Sequence, residues 1–253
     1  MTTEGLALSV SMAVAAGLVG CFAVMRRMTL AGDALSHVAL PGIGVALALH
    51  VHPVFGAAAM LFFGALLVWA LEERTRLATE TTIGVVFSAA LAIGSMLTKG
   101  DDLIEALFGA PGSIGRSEIV FGIVAAAVVI AFVALARNRL IVALVSPDVA
   151  RTAGIDVRRL DLLYLQTFAL SIALGLRYLG VLLMGALIII PAATAKRVAR
   201  DLTSMLTAAV AVAVTSTLFG SYLAASLHRD SGPLIVAVAA ACFLVSAVLP
   251  GRV

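Results

Sequence analysis

The chain has 253 residues, of which 62% are hydrophobic and 12% charged, and its mean hydropathy is +1.14. A soluble domain carries about 45–50% apolar and about 25% charged residues, so this composition excludes a soluble protein and indicates an integral membrane protein. The net charge of +3 is small and the basic residues lie between the apolar segments, which argues against a nucleic-acid partner.

The apolar segments follow one another along the whole chain and are nearly free of charge. Their length predicts membrane-spanning helices, whereas a β-barrel would show short alternating segments. We therefore expect an all-α integral membrane protein that forms a single transmembrane domain over residues 1–253. The nine predicted spans are 5–25, 29–49, 53–71, 82–98, 118–136, 160–176, 179–195, 203–227 and 233–250.

The distribution of basic residues orients these spans. If the loop after the first span is cytoplasmic, 13 of the 17 Lys and Arg residues lie on the cytoplasmic side. Because cytoplasmic loops of membrane proteins are enriched in Lys and Arg, we expect the N-terminus outside and the C-terminus in the cytoplasm. The outer loop KGDDLIEALFGAPGSIGRSE contains a short amphipathic stretch, which predicts a surface helix near 102–109.

The second predicted span carries two polar side chains, Asp33 and His37. Residues four apart lie on one helix face, and counting from Arg27 places His37 about 15 Å into the membrane, with Asp33 one turn nearer the cytoplasm. A carboxylate costs about 2.5–3.5 kcal/mol at the centre of a bilayer, so we expect it to face protein or water. Carboxylate oxygen and imidazole nitrogen suit first-row divalent metals, so the pair predicts part of a metal site.

Other interpretations of Asp33 and His37 remain open. Asp33 is also a good N-cap for the second span, and His37 can hydrogen-bond a neighbouring helix. Two ligands do not close a metal site, so further ligands would come from other helices or from a second subunit. His228, near Asp230 in LHRDSGP, is a further candidate ligand, although an interfacial polar histidine is the favoured interpretation.

Two prolines interrupt predicted spans. Proline has no N–H, so Pro41 leaves the carbonyl of His37 without its helical partner, and Gly42 allows a neighbouring helix to approach. Such broken backbone is tolerated in membranes where it lines a cavity. Pro191 has the same effect on Leu187, and the small residues around it indicate either a wall of a pathway or ordinary close packing.

The segment SPDVARTAGI, residues 146–155, carries the start and stop signals of a short helix. Ser146 is a good N-cap, Pro147 fits the first turn, and Asp148 complements the helix dipole. Gly154 can end the helix in the left-handed region. This segment could be an ordinary loop helix or a cytoplasmic element that receives force from a partner.

Four segments, in chain order, resemble those of the membrane permease subunit of ATP-binding-cassette importers for zinc or manganese: GDALSHVALPGIGVAL, LFGAPGSIGRSE, SPDVARTAGI and LLMGALIIIPAATAKRVAR. The resemblance covers essentially the whole chain. The loop segment SPDVARTAGI is shared with the cobalamin and siderophore permeases, so we expect a related architecture. In one respect the chain departs from the family, because Gly109 is followed by Ala110, Pro111 and Gly112 where these permeases often carry acids.

The resemblance implies a permease subunit that forms the path for Zn²⁺ or Mn²⁺ in the cytoplasmic (inner) membrane and is not itself an enzyme. It implies a homodimer, two cytoplasmic ATPase subunits and an extracytoplasmic metal-binding protein, with the metal as cargo and no permanently bound cofactor. It places the metal site at Asp33 and His37 and makes 146–155 the coupling helix. The coupling residues are then Ser146, Pro147, Asp148, Ala150 and Gly154.

The sequence also bears on other functions. The chain has no G-x-x-x-x-G-K-[ST] phosphate loop, because neither Lys99 nor Lys196 is followed by Ser or Thr, so an ATPase would be a separate chain. A permease for a metal chelate would need a wide path without metal-ligating side chains, against which Asp33 and His37 argue. An intramembrane metalloprotease would need further ligands and a base, as in H-E-x-x-H, which is absent. Zinc and manganese remain undecided, because both accept these two ligands.

Overall fold

The structure is a computed structural model that describes residues 3–28, 31–75, 77–97, 115–178 and 181–248. In these ranges the chain is all α-helical, with ten helices and no strand. The helices are α1 (Thr3–Met25), α2 (Ala31–Ala48), α3 (Pro53–Thr75), α4 (Thr79–Leu97), α5 (Arg116–Val145), α6 (Pro147–Thr152), α7 (Val157–Tyr178), α8 (Val181–Val198), α9 (Leu202–Leu227) and α10 (Ser231–Val248).

Seven of the described helices are long and apolar enough to cross a membrane, namely α1 to α5, α9 and α10. Helices α7 and α8 coincide with the predicted spans 160–176 and 179–195 but are not among these seven, so the expected count of nine spans is not confirmed. Helix α7 is polar where it begins, with Arg158, Arg159 and Asp161 in its first two turns. The predicted surface helix near 102–109 lies outside the described residues.

Helix α5 continues well past the predicted end of its span at residue 136. It runs 30 residues to Val145, because Ala136, Leu140 and Ala143 extend a buried face at helical spacing, while Arg137, Asn138 and Arg139 on the other side are exposed. The helix therefore reaches directly to α6, from which only Ser146 separates it. The residues that follow the predicted span 118–136 therefore continue the same helix.

The most buried of the candidate spans are α1 and α2. Helix α1 packs against α5, α7, α8 and α9, and α2 packs against α3, α4, α7 and α8. These two helices form the centre of the bundle, and the other helices surround them.

Helices α2 and α3 approach each other closely where they cross. A Cβ atom at Gly42 would overlap the carbonyl oxygen of Gly56 and would lie 2.7 Å from the Cβ of Met60. The two backbones are therefore in contact, as is typical of small residues at helix crossings in membranes. The close approach expected at Gly42 is observed, and Gly56 is its partner.

We predict that Gly42→Ala destabilises the protein, because the added methyl group has no space between the two backbones. Overpacking of this kind costs about 1–3 kcal/mol, and the melting temperature of the detergent-purified protein should fall by several degrees. The matched control is Gly84→Ala in α4, where a Cβ would meet nothing within 4 Å. Equal melting temperatures for the two variants would contradict the contact.

Candidate metal site on α2

Asp33 lies in the first turn of α2 and its side chain is exposed. The helix begins at Ala31, so Asp33 is the third helical residue and not the N-cap. An acidic side chain in this position interacts favourably with the free N–H groups at the start of the helix. The carboxylate oxygens are therefore held beside the N-terminus of α2 and remain open to a ligand.

The first turn of α2 nevertheless lies well inside the bundle. Gly42 is nine residues after Asp33 and contacts Gly56, which is three residues after the start of α3. At a rise of about 1.5 Å per residue, Asp33 lies about 18 Å along α3, which is about 34 Å long. Gly94 of α4 contacts Leu40 and Pro41, and this contact independently places Asp33 about 11 Å inside the Thr79 end of α4.

The depth and the exposure of Asp33 together restrict what its carboxylate faces. A carboxylate in contact with lipid at this depth would cost about 2.5–3.5 kcal/mol. The side chain is exposed in the single chain, and contact with water or with a second protein chain would avoid this cost. This is the environment that an ion-binding side chain in a membrane needs.

His37 lies one turn further along α2 and is half-buried. Its Nδ1 atom lies 2.9 Å from the backbone carbonyl oxygen of Asp33. A carbonyl oxygen only accepts hydrogen bonds, so this contact requires the hydrogen on Nδ1, and in the neutral ring the lone pair is then on Nε2. Metal-binding histidines commonly have their second ring nitrogen fixed in this way. The ring is also held edge-on against Phe87 of α4, with 5.5 Å between the ring centroids.

The first turn of α2 is supported by α8. A Cβ atom at Gly185 would lie 3.3 Å from the backbone nitrogen of Asp33 and from the carbonyl carbon of Gly32. The small residues before Pro191 indicated close packing of this segment, but the sequence did not indicate that Asp33 would be the residue in contact with Gly185. The two segments GDALSHVALPG and LLMGALIIIP therefore meet at Asp33.

The two prolines are both buried within continuous helices, Pro41 in α2 and Pro191 in α8. Gly94 of α4 packs against the ring of Pro41, since a Cβ there would lie 3.3 Å from the proline Cδ. Pro41 thus lies at the crossing of α2 with α4, and the carbonyl of His37 has no N–H at position 41 to accept from.

His228 is not joined to the pair on α2. It is the exposed C-cap of α9, with a left-handed backbone conformation of φ 51°. In the described part of the chain, no three His, Cys, Asp or Glu side chains come together as a metal-binding group. Asp33 and His37 lie one turn apart on α2, and the structure does not bring His228 to them.

Helix α6 has the caps that its sequence predicts. The Ser146 hydroxyl accepts a hydrogen bond from the N–H of Val149 at 3.4 Å, and Pro147 is the first helical residue. Gly154 adopts φ +77°, and the helix ends with hydrogen bonds from Gly154 N–H to the carbonyl of Arg151 and from Ile155 N–H to the carbonyl of Ala150. This is the Schellman pattern.

One face of α6 is attached to the bundle and the other is free. Ala150 is fully buried and belongs to the main hydrophobic cluster, whereas Pro147, Asp148, Val149 and Arg151 are exposed. Asp148 and Arg151 form an exposed ion pair within the helix, with 3.2 Å between Arg151 Nη1 and Asp148 Oδ1. The exposed face has room for a partner, and the buried face packs on α5 and α7.

Sequence reasoning missed a polar cluster that joins α1 to α7. The Nη2 atom of Arg26 lies 2.7 Å from Oδ1 of Asp161, and its guanidinium lies 4.6 Å from the ring centroid of Tyr164. The Tyr164 hydroxyl donates to the carbonyl of Val19 at 3.2 Å. The available signal was an acid at the second position of the predicted span 160–176, which requires a partner of opposite charge.

Comparison with known proteins identifies relatives over the whole length of the chain. It is 30% identical over 247 residues to the manganese transport system membrane protein MntC of Listeria monocytogenes, covering 96% of this chain and 88% of that one. It is 31% identical over 234 residues to the high-affinity zinc uptake system membrane protein ZnuB of Haemophilus influenzae, covering 90% and 89%. It is also 31% identical over 237 residues to the chelated iron transport system membrane protein YfeD of Yersinia pestis, covering 92% and 80%.

A solved structure shares the fold. PsaBC from Streptococcus pneumoniae, determined in complex with Fab, contains a chain that superposes with a TM-score of 0.82 at 26% identity, covering 97% of this chain and 90% of that one. The sequence profile of the ABC 3 transport family matches residues 1–249. The expectation drawn from the four sequence segments is confirmed, and the chain belongs to the ABC 3 transport family, whose members are membrane permeases of ATP-binding-cassette transporters.

Proposed function

We propose that the chain is the permease subunit of an ATP-driven importer of divalent transition metal ions, zinc or manganese, and forms their path across the membrane. The relatives named for manganese and zinc transport support this cargo. The observation that carries the proposal is the exposed carboxylate of Asp33, inside the bundle and one turn from a histidine whose Nε2 is free. Oxygen and nitrogen ligands of this kind suit Zn²⁺ and Mn²⁺.

The metal site is completed by a second copy of the chain. Two side chains are too few for a stable metal site, and the described residues of one chain hold no larger ligand group. Asp33 and His37 of two copies supply four ligands when the two exposed faces meet. A site divided between two subunits also loosens when they move apart, which a transporter needs in order to release its ion.

The remaining partners follow from the fold and the family. The chain lacks a phosphate loop, so ATP is hydrolysed by separate cytoplasmic subunits that bind the exposed face of α6. An extracytoplasmic protein delivers the metal, and the permease has nine spans in the cytoplasmic (inner) membrane, with its N-terminus outside and its C-terminus in the cytoplasm. The fully helical architecture of α7 and α8 and the basic residues at the cytoplasmic loops support this arrangement.

Import of a metal chelate is the alternative, and the relative named for chelated iron transport favours it. A chelate arrives with its metal already coordinated, so Asp33 would have no ion to bind. The recessed carboxylate and the oriented imidazole would then be costly features without a function. For this reason we prefer the free ion as the cargo.

We predict that Asp33→Asn and His37→Ala each reduce metal uptake at least about 10-fold, because loss of even an outer partner of a metal ligand typically costs about 10–100-fold in metal affinity or activity. The measurement is ATP-dependent uptake of Zn²⁺ and Mn²⁺ by proteoliposomes that contain the complete importer. The matched control is His50→Ala, which removes an exposed histidine beyond the other end of α2. Wild-type uptake by both α2 variants would refute the metal site, and uptake of a chelate alone would favour the alternative cargo.

A second prediction concerns the attachment of α6. Ala150→Leu should reduce ATP-driven uptake, because the larger side chain has no space at a fully buried position and displaces α6 from α5 and α7. Gly84→Ala in α4, where an added Cβ would meet nothing within 4 Å, should leave uptake unchanged. Equal uptake by the two variants would show that the seating of α6 does not matter for coupling.

A third prediction tests the orientation. In a background with Cys21→Ser and Cys242→Ser, the variant Arg229→Cys should react with a membrane-impermeant maleimide added to intact cells. The variant Asp148→Cys should react only after the membrane is permeabilised, although both positions are exposed in the folded chain. The reverse pattern would invert the proposed topology.

A further inference from the structure

Helix α6 is joined to α7 by a short and well-ordered connection. Only residues 153–156 separate the two helices, and Ile155 is hydrogen-bonded back to Ala150. The side chain of Asp156 accepts a hydrogen bond from the N–H of Arg159 at 3.1 Å, which caps the first turn of α7. A displacement of α6 is therefore passed to the start of α7.

Helix α7 is in turn fastened to α1 by the cluster of Arg26, Asp161, Tyr164 and Val19. The ion pair between Arg26 and Asp161 is largely shielded, with the arginine side chain only 14% exposed. Tyr164 is fully buried, and its hydroxyl reaches across to the Val19 carbonyl. A buried donor that loses its acceptor costs free energy, so the two helices resist separation at this point.

The next residue of α1 contacts α8. A Cβ atom at Gly20 would overlap the carbonyl oxygen of Ile188 and would lie 3.2 Å from the Cβ of Ala192. The bond to Tyr164 and the contact with α8 are thus made by adjacent residues of α1, Val19 and Gly20. A shift of α1 at Val19 is transmitted directly to the backbone of α8.

The contact on α8 lies one turn from the candidate metal site. Gly185 is three residues before Ile188, and its α-carbon packs on the backbone of Gly32 and Asp33. Pro191 deprives the carbonyl of Leu187 of its helical partner, so α8 bends most easily beside Ile188. A displacement of Ile188 therefore changes how Gly185 supports the first turn of α2.

We propose that α1 and α8 relay the movement of α6 to Asp33, and that Tyr164 is the positioning residue that links α7 to this relay. The inference rests on the proposed function, since it gives the route by which ATP hydrolysis opens and closes the metal site. The structure also contains a direct contact between α7 and α2, which is the competing route. The hydroxyl of Tyr164 distinguishes them, because it contacts α1 and not α2.

The test compares Tyr164→Phe with wild type in the complete importer, reconstituted with its ATPase and binding protein. Metal ions imported per ATP hydrolysed should fall about three- to tenfold, the size expected for one buried hydrogen bond. Zn²⁺ and Mn²⁺ binding to the detergent-solubilised importer without nucleotide should not change, because Asp33 and His37 are intact. The matched control is Ser171→Ala, which removes a buried hydroxyl of α7 that donates only within its own helix, to Thr167 at 2.9 Å.

A double-mutant cycle tests whether both ends belong to one route. Gly185→Ala adds a methyl group against Asp33 and should also lower the number of ions imported per ATP. If the relay is continuous, combining it with Tyr164→Phe should lower this number by less than the product of the two separate effects. Independent effects that multiply would overturn the relay.

The remaining outcomes separate the relay from the proposed function. Normal coupling in Tyr164→Phe, or equal losses in Tyr164→Phe and Ser171→Ala, would overturn the relay and favour the direct contact between α7 and α2. An equal fall in transport and ATP hydrolysis in Tyr164→Phe would also overturn it, because their ratio would then be unchanged. Absence of ATP-driven metal uptake by the wild type would refute the proposed function itself.

Discussion

The site depends on backbone contact between α2 and its neighbours. Gly42 lies directly against Gly56 of α3, and Gly185 of α8 lies against the backbone of Gly32 and Asp33. In a membrane, helices gain no hydrophobic stabilisation from packing together, so close van der Waals contact through small residues determines where each helix is placed. These contacts hold α2 so that its first turn lies within the bundle and not at its edge.

This placement gives a single residue two properties that are rarely combined. Asp33 is at the N-terminus of a helix, where free N–H groups favour a negative charge, and it is also deep among the spans. Near a membrane surface, an acid at a helix N-terminus only stabilises the start of the helix. In the interior, the same acid can attract a cation, and the half-buried imidazole of His37 lies one turn further along the same helix.

The same packing leaves the site incomplete in one chain. The described residues of one chain offer two candidate side-chain ligands, His37 with its Nδ1 beside a backbone carbonyl and the exposed Asp33, and no larger ligand group. For an enzyme this would be a defect, since a catalytic metal must remain bound. For a transporter, a site that gains and loses ligands as two subunits move is an advantage, because the ion must be bound on one side and released on the other.

Much of the fold could be read from the amino-acid sequence. Long apolar segments determined that the chain is helical and membrane-embedded, because only closed hydrogen-bonding structures are stable in lipid. The four motif segments indicated the family, and Ser146, Pro147 and Gly154 predicted both ends of α6 through local backbone chemistry. Asp33 and His37 were singled out because polar groups in apolar helices are costly.

Other features could be decided only by the tertiary structure. The sequence left open whether Asp33 caps a helix at the membrane surface, because counting residues along α2 does not reveal how deeply that helix begins. The contacts of Gly42 and Gly94 with neighbouring helices establish that depth. The pairing of Arg26 with Asp161 and the support of Asp33 by Gly185 likewise join residues far apart in the chain. The length of α5 depends on the face that this helix buries against its neighbours. Local propensity carries no information about such partners, since they are chosen by the packing of whole helices.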